Sequence, residues 1–367
     1  PSLRELQAGP RLRNAVLGAA AVLTLLGLGT VDASAPDEPR YLQVAEEMRS
    51  GVHGLEGLVV LHLNGEVYTQ KPPLYYWLAA ALGAPFGHVN ELLGRLPSAL
   101  AALFCVFLTL RFGSRLFGSA TGVLAAGLLL TVFEFGHLAR RVQLDMLLAA
   151  CELSAIFSFW WIDRGLGGRR AWVALLHLAL GLGVLTKGPV GFLVPVLAMI
   201  SFLAWERRLR DLGRAFPPWA FLLSLGPGLL WVAGATALAP PGFADDAVGT
   251  NLFGRFFQGT SHARPIYYFL YRFPLDFLPW ALLWPGVYLV ARRQIFPGGP
   301  GAERSRRAWR FLLCVVGASL VFFSISSGKR GLYMVPAFPA AALLCADACI
   351  RGLATRSTLP RLATVLA

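Results

Sequence analysis

The chain has 367 residues, 56% of them hydrophobic and only 14% charged, with a mean hydropathy of +0.59. A soluble domain of this size does not combine so little charge with so much apolar sequence, so the composition specifies a multi-span membrane protein. The net charge of +13 would suit a nucleic-acid partner in a soluble protein, but that needs basic residues clustered with exposed aromatics on one face. Here the arginines sit in short loops between apolar runs, so no nucleic acid is expected.

About ten runs approach the length that crosses a bilayer core: Asn14–Val31, Leu92–Leu110, Ala120–Phe135, Met146–Ile162, Trp172–Leu185, Val190–Trp205, Trp219–Leu238, Leu275–Val290, Phe311–Ser326 and Leu332–Ile350. With the N-terminus in the cytoplasm, the inner loops hold about 21 Lys and Arg against about 6 Asp and Glu. The remainder of the chain holds about 12 against about 14. That bias fixes the orientation. The first run reads as a retained span rather than a signal peptide, because no small-residue cleavage site follows it. The chain opens on Pro1 without a methionine, as a piece of a longer protein would.

Inner loops are short, whereas two outer segments, 32–91 and 239–274, are long, so function belongs on the outer face. In the first, a helix from Asp37 to Ser50 is expected, with Asp37 as its cap and Pro39 in its first turn. An apolar, aromatic helix from Pro73 to Phe86 follows and suits the interface. Tyr75, Tyr76 and Trp77 fit an aromatic belt as well as a site. The five cysteines fall inside apolar runs, which indicates neither a disulfide framework nor a cysteine zinc site. His177 reads as a packing residue, Gly181-Leu182-Gly183 as a close helix contact, and Glu134 and Glu152 as intramembrane acids outside the site.

Ionisable residues gather at one predicted depth, at the outer ends of the runs: Asp37, Glu38, Arg40, Lys71, Arg140, Arg141, Asp145, Lys187, Arg255, His262, Lys329 and Arg330, with Asn251 and Tyr333. Such groups are costly near a bilayer unless they meet a partner, water or a charged ligand. Several cations beside two carboxylates suit a phosphate-bearing lipid whose head is gripped while a neighbouring bond breaks.

The runs Asp37-Glu38-Pro39-Arg40-Tyr41, Leu63-Asn64-Gly65, Lys71-Pro72-Pro73-Leu74-Tyr75-Tyr76-Trp77 and Arg95-Leu96-Pro97-Ser98 resemble the start of the lipid A aminoarabinose transferase family, relatives of the protein O-mannosyltransferases. The resemblance continues through Arg140-Arg141-Val142-Gln143-Leu144-Asp145-Met146, Thr186-Lys187-Gly188-Pro189-Val190-Gly191, Asn251-Leu252-Phe253-Gly254-Arg255-Phe256-Phe257, His262 and Lys329 to Tyr333, and so spans nearly the whole chain.

The resemblance implies an all-α GT-C bundle with periplasmic juxtamembrane helices, formed by residues 1–350. Residues 351–367 would be a cytoplasmic tail or truncation point, without the soluble periplasmic domain of full-length relatives. It implies an enzyme of the bacterial inner membrane that moves a sugar from a polyprenyl-phosphate donor to lipid A, protein or another envelope glycan on the periplasmic side. Asp37 and Asp145 match the two acidic positions of the family's cavity. Lys71, Lys187, Arg255 and Tyr333 match positions that hold the carrier phosphate, with Arg40 in support. His262 matches a loop histidine that serves as a metal ligand. No cofactor is required, since the cations can stabilise the leaving phosphate themselves; a divalent metal through His262 is a further implication. The family commonly has Glu before its Lys-Pro-Pro run, where this chain has Gln70, which cannot ionise and is a weaker ligand for a hard cation. A lipid-linked sugar flippase would also hold a phosphate in a membrane cavity, but it should show internal repeats, and none is evident. A non-catalytic scaffold would not need carboxylates and cations gathered at one depth.

Overall fold

The computed structural model of the chain describes residues 8–243, 245–247, 249, 263–295 and 303–355. Helices dominate it. α1 (Pro10–Leu25) leads to an outer segment that holds α2 (Asp37–Ser50), a hairpin of β1 (His62–Leu63) and β2 (Glu66–Val67), and α3 (Leu74–Gly83). The bundle continues through α4 (Glu91–Leu116), α5 (Ser119–Leu130), α6 (Phe133–Ala139), α7 (Leu144–Asp163), α8 (Arg169–Lys187) and α9 (Val190–Trp205). Two short turns, α10 (Leu212–Ala215) and α11 (Phe221–Ser224), precede α12 (Gly226–Leu238), α13 (Tyr268–Asp276), α14 (Trp284–Ile295), α15 (Glu303–Ile325) and α16 (Phe338–Thr355).

Among the described residues, five helical segments are long and apolar enough to cross a membrane, and three sharply bent pairs raise the number to as many as eight. Of the ten expected runs, Val190–Trp205 forms a helix of 16 residues, and α1 in the first run is also 16 residues long, short of that measure. Three other runs bend. α5 and α6 meet at 70°, where Thr131 Oγ1 turns back to the carbonyls of Gly127 and Leu128 at 2.8 and 3.1 Å and competes with the helix ladder. The run at 218–238 bends by 50° ahead of Pro227, and the chain turns by 108° between α13 and residues 280–293, around Pro279. Proline cannot donate the ladder hydrogen bond, so these last two breaks fall where the sequence allows them.

α7 is the axis of the bundle and packs against α4, α8, α9 and the turn at 331–337. Its lower half meets an aromatic core in which Phe311 of α15 contacts Phe112, Phe159, Trp160 and Phe202, at centroid separations of 5.1 to 6.5 Å. Such pairs add about 0.5–1.5 kcal/mol each beyond their buried area. At that end of α7, the enclosed carboxylate of Asp163 meets Arg208 at 3.1 Å and Arg307 at 2.7 Å, and Glu206 meets Arg310 at 2.8 Å.

The expected close helix contact is present. A Cβ on Gly183 would stand 3.1 Å from the backbone of Gly191, so α8 and α9 touch main chain to main chain. His177 is buried and satisfied, with Nδ1 3.0 Å from Ser224 Oγ and Nε2 3.0 Å from the Ala215 carbonyl. The cysteines are unpaired, and all but the half-buried Cys349 are buried.

In the outer segment, α2 and α3 pack through buried tyrosines. Tyr41 and Tyr76 lie edge to face at 5.9 Å, and Tyr75 donates toward the Gly94 carbonyl at 2.9 Å. Both Tyr75 and Tyr76 are fully buried, so they are core residues rather than belt anchors. The intervening loop is held by two indoles, since Trp77 donates to Leu58 O at 2.7 Å and Trp231 to Val59 O at 2.9 Å. The hairpin turns on Asn64 and Gly65, both at positive φ, the favoured chemistry for a two-residue turn. Glu47 accepts from both of their amides at 2.6 and 3.1 Å.

Candidate active site

The first turn of α2 carries two adjacent carboxylates whose surroundings differ. Glu38 is 2% exposed and accepts from Arg95 Nε and Nη2 at 3.0 and 3.1 Å, from Ser34 N at 2.8 Å and from Val142 N at 2.8 Å. Arg95 in turn donates to the carbonyls of Leu28, Val31 and Asp32 at 2.7 to 3.2 Å. This lattice ties the linker after α1, the start of α2, α4 and the approach to α7 into one unit. Burial alone would raise the Glu38 carboxyl, but Arg95 and the two amides outweigh it and hold the group below its ordinary value.

Asp37 follows a different direction, since neighbours on a helix diverge by roughly 100°. It was expected to cap α2. Instead the helix is preceded by Pro36, and Asp37 is its first residue with no side-chain cap bond. Its carboxylate accepts from Arg330 at 2.9 Å and weakly from Gln143 Nε2 at 3.4 Å, with Arg40 at 3.6 Å. Burial pushes its pKa up, but Arg330, then Arg40 and Gln143, more than offset this and hold it below the usual aspartate value.

The second carboxylate, Asp145, stands in the first turn of α7 and is 3% exposed. It pairs with Lys187, the last residue of α8, at 2.5 Å. An acid at a helix N-terminus and a base at a helix C-terminus each complement the helix dipole, so the meeting of α7 and α8 sets this pair. Lys187 Nζ lies 4.2 Å from the centroid of the Tyr333 ring, a cation–π distance. The two pairs adjoin, because the Arg330 guanidinium lies in the field of Asp37, Asp145 and Tyr333. Tyr41 is buried beside the cluster; the pKa of its hydroxyl is raised far above its usual value by burial, then by Tyr68, Asp37 and Asp145.

The fold agrees with the comparisons to known proteins. Residues 16–242 match the model of the dolichyl-phosphate-mannose-protein mannosyltransferases. The chain belongs to this family. Within the mannosyltransferase family and its relatives, it is 31% identical over 334 residues to undecaprenyl phosphate-alpha-4-amino-4-deoxy-L-arabinose arabinosyl transferase 2 of Pseudomonas fluorescens, covering 86% of this chain and 52% of that protein. A second Pseudomonas fluorescens arabinosyl transferase is 32% identical over 331 residues, covering 88% and 55%. The chain thus spans about half the length of these relatives. The crystal structure of ArnT from Cupriavidus metallidurans bound to undecaprenyl phosphate superimposes with a TM-score of 0.80 at 25% identity, over 98% of this chain and 62% of that one. An Archaeoglobus fulgidus oligosaccharyltransferase shares the fold, with a TM-score of 0.58 at 16% identity over 96% and 51%. These findings make the chain an all-α, multi-pass member of the GT-C type that resembles the aminoarabinose transferases.

In this mannosyltransferase-family chain, the expected Asp37, Arg40, Asp145, Lys187 and Tyr333 all fall in the cluster. Lys71 stands half-buried just before Pro73, which precedes α3. Arg255 and His262 lie outside the described residues. Among the described residues no group of three His, Cys, Asp or Glu is arranged to hold a metal, and Gln70 offers only a neutral amide, so no step is assigned to a metal. Asp145 pairs with Lys187 rather than Arg140 or Arg141; Arg140 donates to Leu23 O at 2.9 Å, and Arg141 approaches Glu38 at 4.0 Å. Glu152, one of the intramembrane acids, is 1% exposed, with Oε1 unpartnered among the described residues.

Arg330 and Gln143 are the residues that sequence reasoning left without a role. Lys329 and Arg330 are adjacent cations in one outer turn and look alike in sequence. The fold separates them: Lys329 is 4% exposed and bonded to the backbone carbonyls of Ser326 and Arg264, whereas Arg330 reaches Asp37.

Proposed function

We propose that this chain is the membrane part of an inner-membrane glycosyltransferase that moves a sugar from undecaprenyl phosphate to lipid A on the periplasmic face. The observation that carries the proposal is the cluster itself: two carboxylates from different elements, Asp37 and Asp145, each paired with a cation, with Arg330 in the field of both. The relatives' names and the undecaprenyl phosphate in the ArnT structure support the donor class; the acceptor follows the resemblance to the lipid A aminoarabinose transferases. Positive inner loops support the outward-facing site. In this reading residues 1–350 form the catalytic domain, with 32–91 and 239–274 as its periplasmic segments.

An acceptor oxygen attacks the anomeric carbon, the bond from that carbon to the carrier phosphate breaks, and the electron pair leaves with the phosphate. Lys187 and Arg40, with Lys71 and Arg255, would stabilise the charge that grows on that phosphate, which is catalysis only to the extent that they bind the transition state more tightly than the donor. Tyr333 holds the Lys187 ammonium under its ring. Asp37 receives the acceptor proton, or orients an acceptor that is already anionic; its depressed pKa keeps it ionised for either task. Asp145 orients Lys187.

The test uses the full-length protein in proteoliposomes, with undecaprenyl-phosphate aminoarabinose and lipid A, and compares wild type with Asp37→Asn. Transfer should fall by at least about 100-fold. Transfer at the wild-type rate in the variant would remove Asp37 from the chemistry, and movement of the carrier across the bilayer with no transfer in wild type would favour a flippase.

A further inference from the structure

Arg330 owes its position to a turn fixed on both sides. Upstream, Lys329 donates to the Ser326 and Arg264 carbonyls, and Gly328 pairs with Ala263 in an antiparallel bridge. Downstream, Gly331 rests on an ion pair from α13. Arg272 Nε and Nη2 reach the Asp276 carboxylate at 3.0 and 2.8 Å, and Asp276 is 4% exposed. A Cβ at position 331 would stand 2.5 Å from Asp276 Oδ2 and 2.7 Å from Arg272 Nε. Real side chains do not tolerate such distances, so the main chain touches the ion pair directly, one peptide from Arg330.

The pair is buried on one side only, with Asp276 enclosed and the Arg272 side chain 39% exposed, and it is poor evidence for stability because desolvation of the carboxylate and screening of the guanidinium consume most of the attraction. An apolar pair of similar volume would fill the space under Gly331 as well. What the charged pair adds is a fixed height and direction, since its two hydrogen bonds set the guanidinium and carboxylate planes together. We propose that the Arg272–Asp276 ion pair is a positioning element for the active site: it supports Gly331 and thereby holds the Arg330 guanidinium against Asp37. Neither residue reaches Asp37 itself. Glu134 of α6 and Tyr268 of α13 are the other titratable groups that act on the pair. Around Asp37 they are Arg40, Tyr41 and Arg330, and Asp145 acts through Arg330.

The inference rests on the proposed role of Asp37, but its test does not. Asp37 is read directly in the full-length protein at about pH 8, above the carboxylate range, as the infrared carboxylate stretch of each form minus that of the same form carrying Asp37→Asn. Arg330→Gln serves as the reference, and its Asp37 stretch should shift as the charge-assisted hydrogen bond is lost. Gly331→Ala and Asp276→Asn should shift the stretch in the same direction, whereas Arg272→Lys, which keeps an ion pair, should shift it less than Asp276→Asn. Size-exclusion profiles and melting curves identify the variants that remain folded. A stretch unchanged from wild type in folded Gly331→Ala or Asp276→Asn, alongside a shifted one in Arg330→Gln, would overturn the proposal. So would an Arg272→Lys shift as large as that of Asp276→Asn. Because the readout is spectroscopic, loss of transfer for any other reason leaves it intact.

Discussion

Asp37 and Glu38 are adjacent acids on one turn of one helix, yet they are built into the molecule in opposite ways. Glu38 accepts four hydrogen bonds at 2.8 to 3.1 Å from three separate parts of the chain. Asp37 has one close donor, Arg330, at 2.9 Å, and two looser neighbours in Arg40 and Gln143. The difference teaches how to tell a strut from a working group when both are charged and buried. A strut has every lone pair committed to partners that are themselves pinned, as Arg95 is by three carbonyls. A working carboxylate keeps capacity in reserve and is paired with a side chain that a ligand can displace.

The sharpest way to break the comparison is Glu38→Ala. It leaves Arg95 buried without its counter-charge, which typically costs about 3–5 kcal/mol, so the protein should show a much lower melting temperature or fail to accumulate. Asp37→Asn should lower melting far less than Glu38→Ala while cutting transfer by at least about 100-fold; equal losses of stability in both variants would erase the distinction. The next effect is on pH dependence. The folded-state pKa of Asp37 is depressed, so its contribution to stability is present above the unfolded value and is lost as pH falls through the folded one. In Arg330→Gln, burial is offset only by Arg40 and Gln143, so the acid limb of the transfer rate should move to higher pH. A limb at its wild-type position would show that Arg330 does not tune Asp37. The smallest effect belongs to Tyr333→Leu, which removes a contact worth about 0.5–2 kcal/mol and should weaken donor binding by no more than about 30-fold in a titration with undecaprenyl phosphate.

Much of this was legible in the sequence. The bounds of α2 could be read from Asp37 to Ser50 because a polar stretch with an early proline and a closing Gly51 stands apart from its apolar surroundings. Asp37, Asp145, Lys187 and Tyr333 could be singled out because charged or polar groups at span mouths need partners. The hairpin was missed although Asn64-Gly65 announces it, since strands of two residues carry no alternation. The bends at 131–132, 225 and 277–279 were missed because hydropathy counts apolar residues without regard to direction. Arg330 could not be told from Lys329, because which of two neighbouring cations turns inward is decided by a bridge to Ala263 sixty-five positions upstream of Gly328.

The main-chain contact between Gly183 and Gly191 has a consequence for the cations above it. With no side chains between them, α8 cannot roll or slide on α9 without collision, so Lys187 at the end of α8 behaves as a stationary electrode. Arg330 projects from a turn between two helices, and its tether to Asp37 is a single ion pair. Under the proposed function Lys187 is the fixed landmark an anionic head docks against, so a side chain introduced at Gly183 or Gly191 would move that landmark without touching the donor.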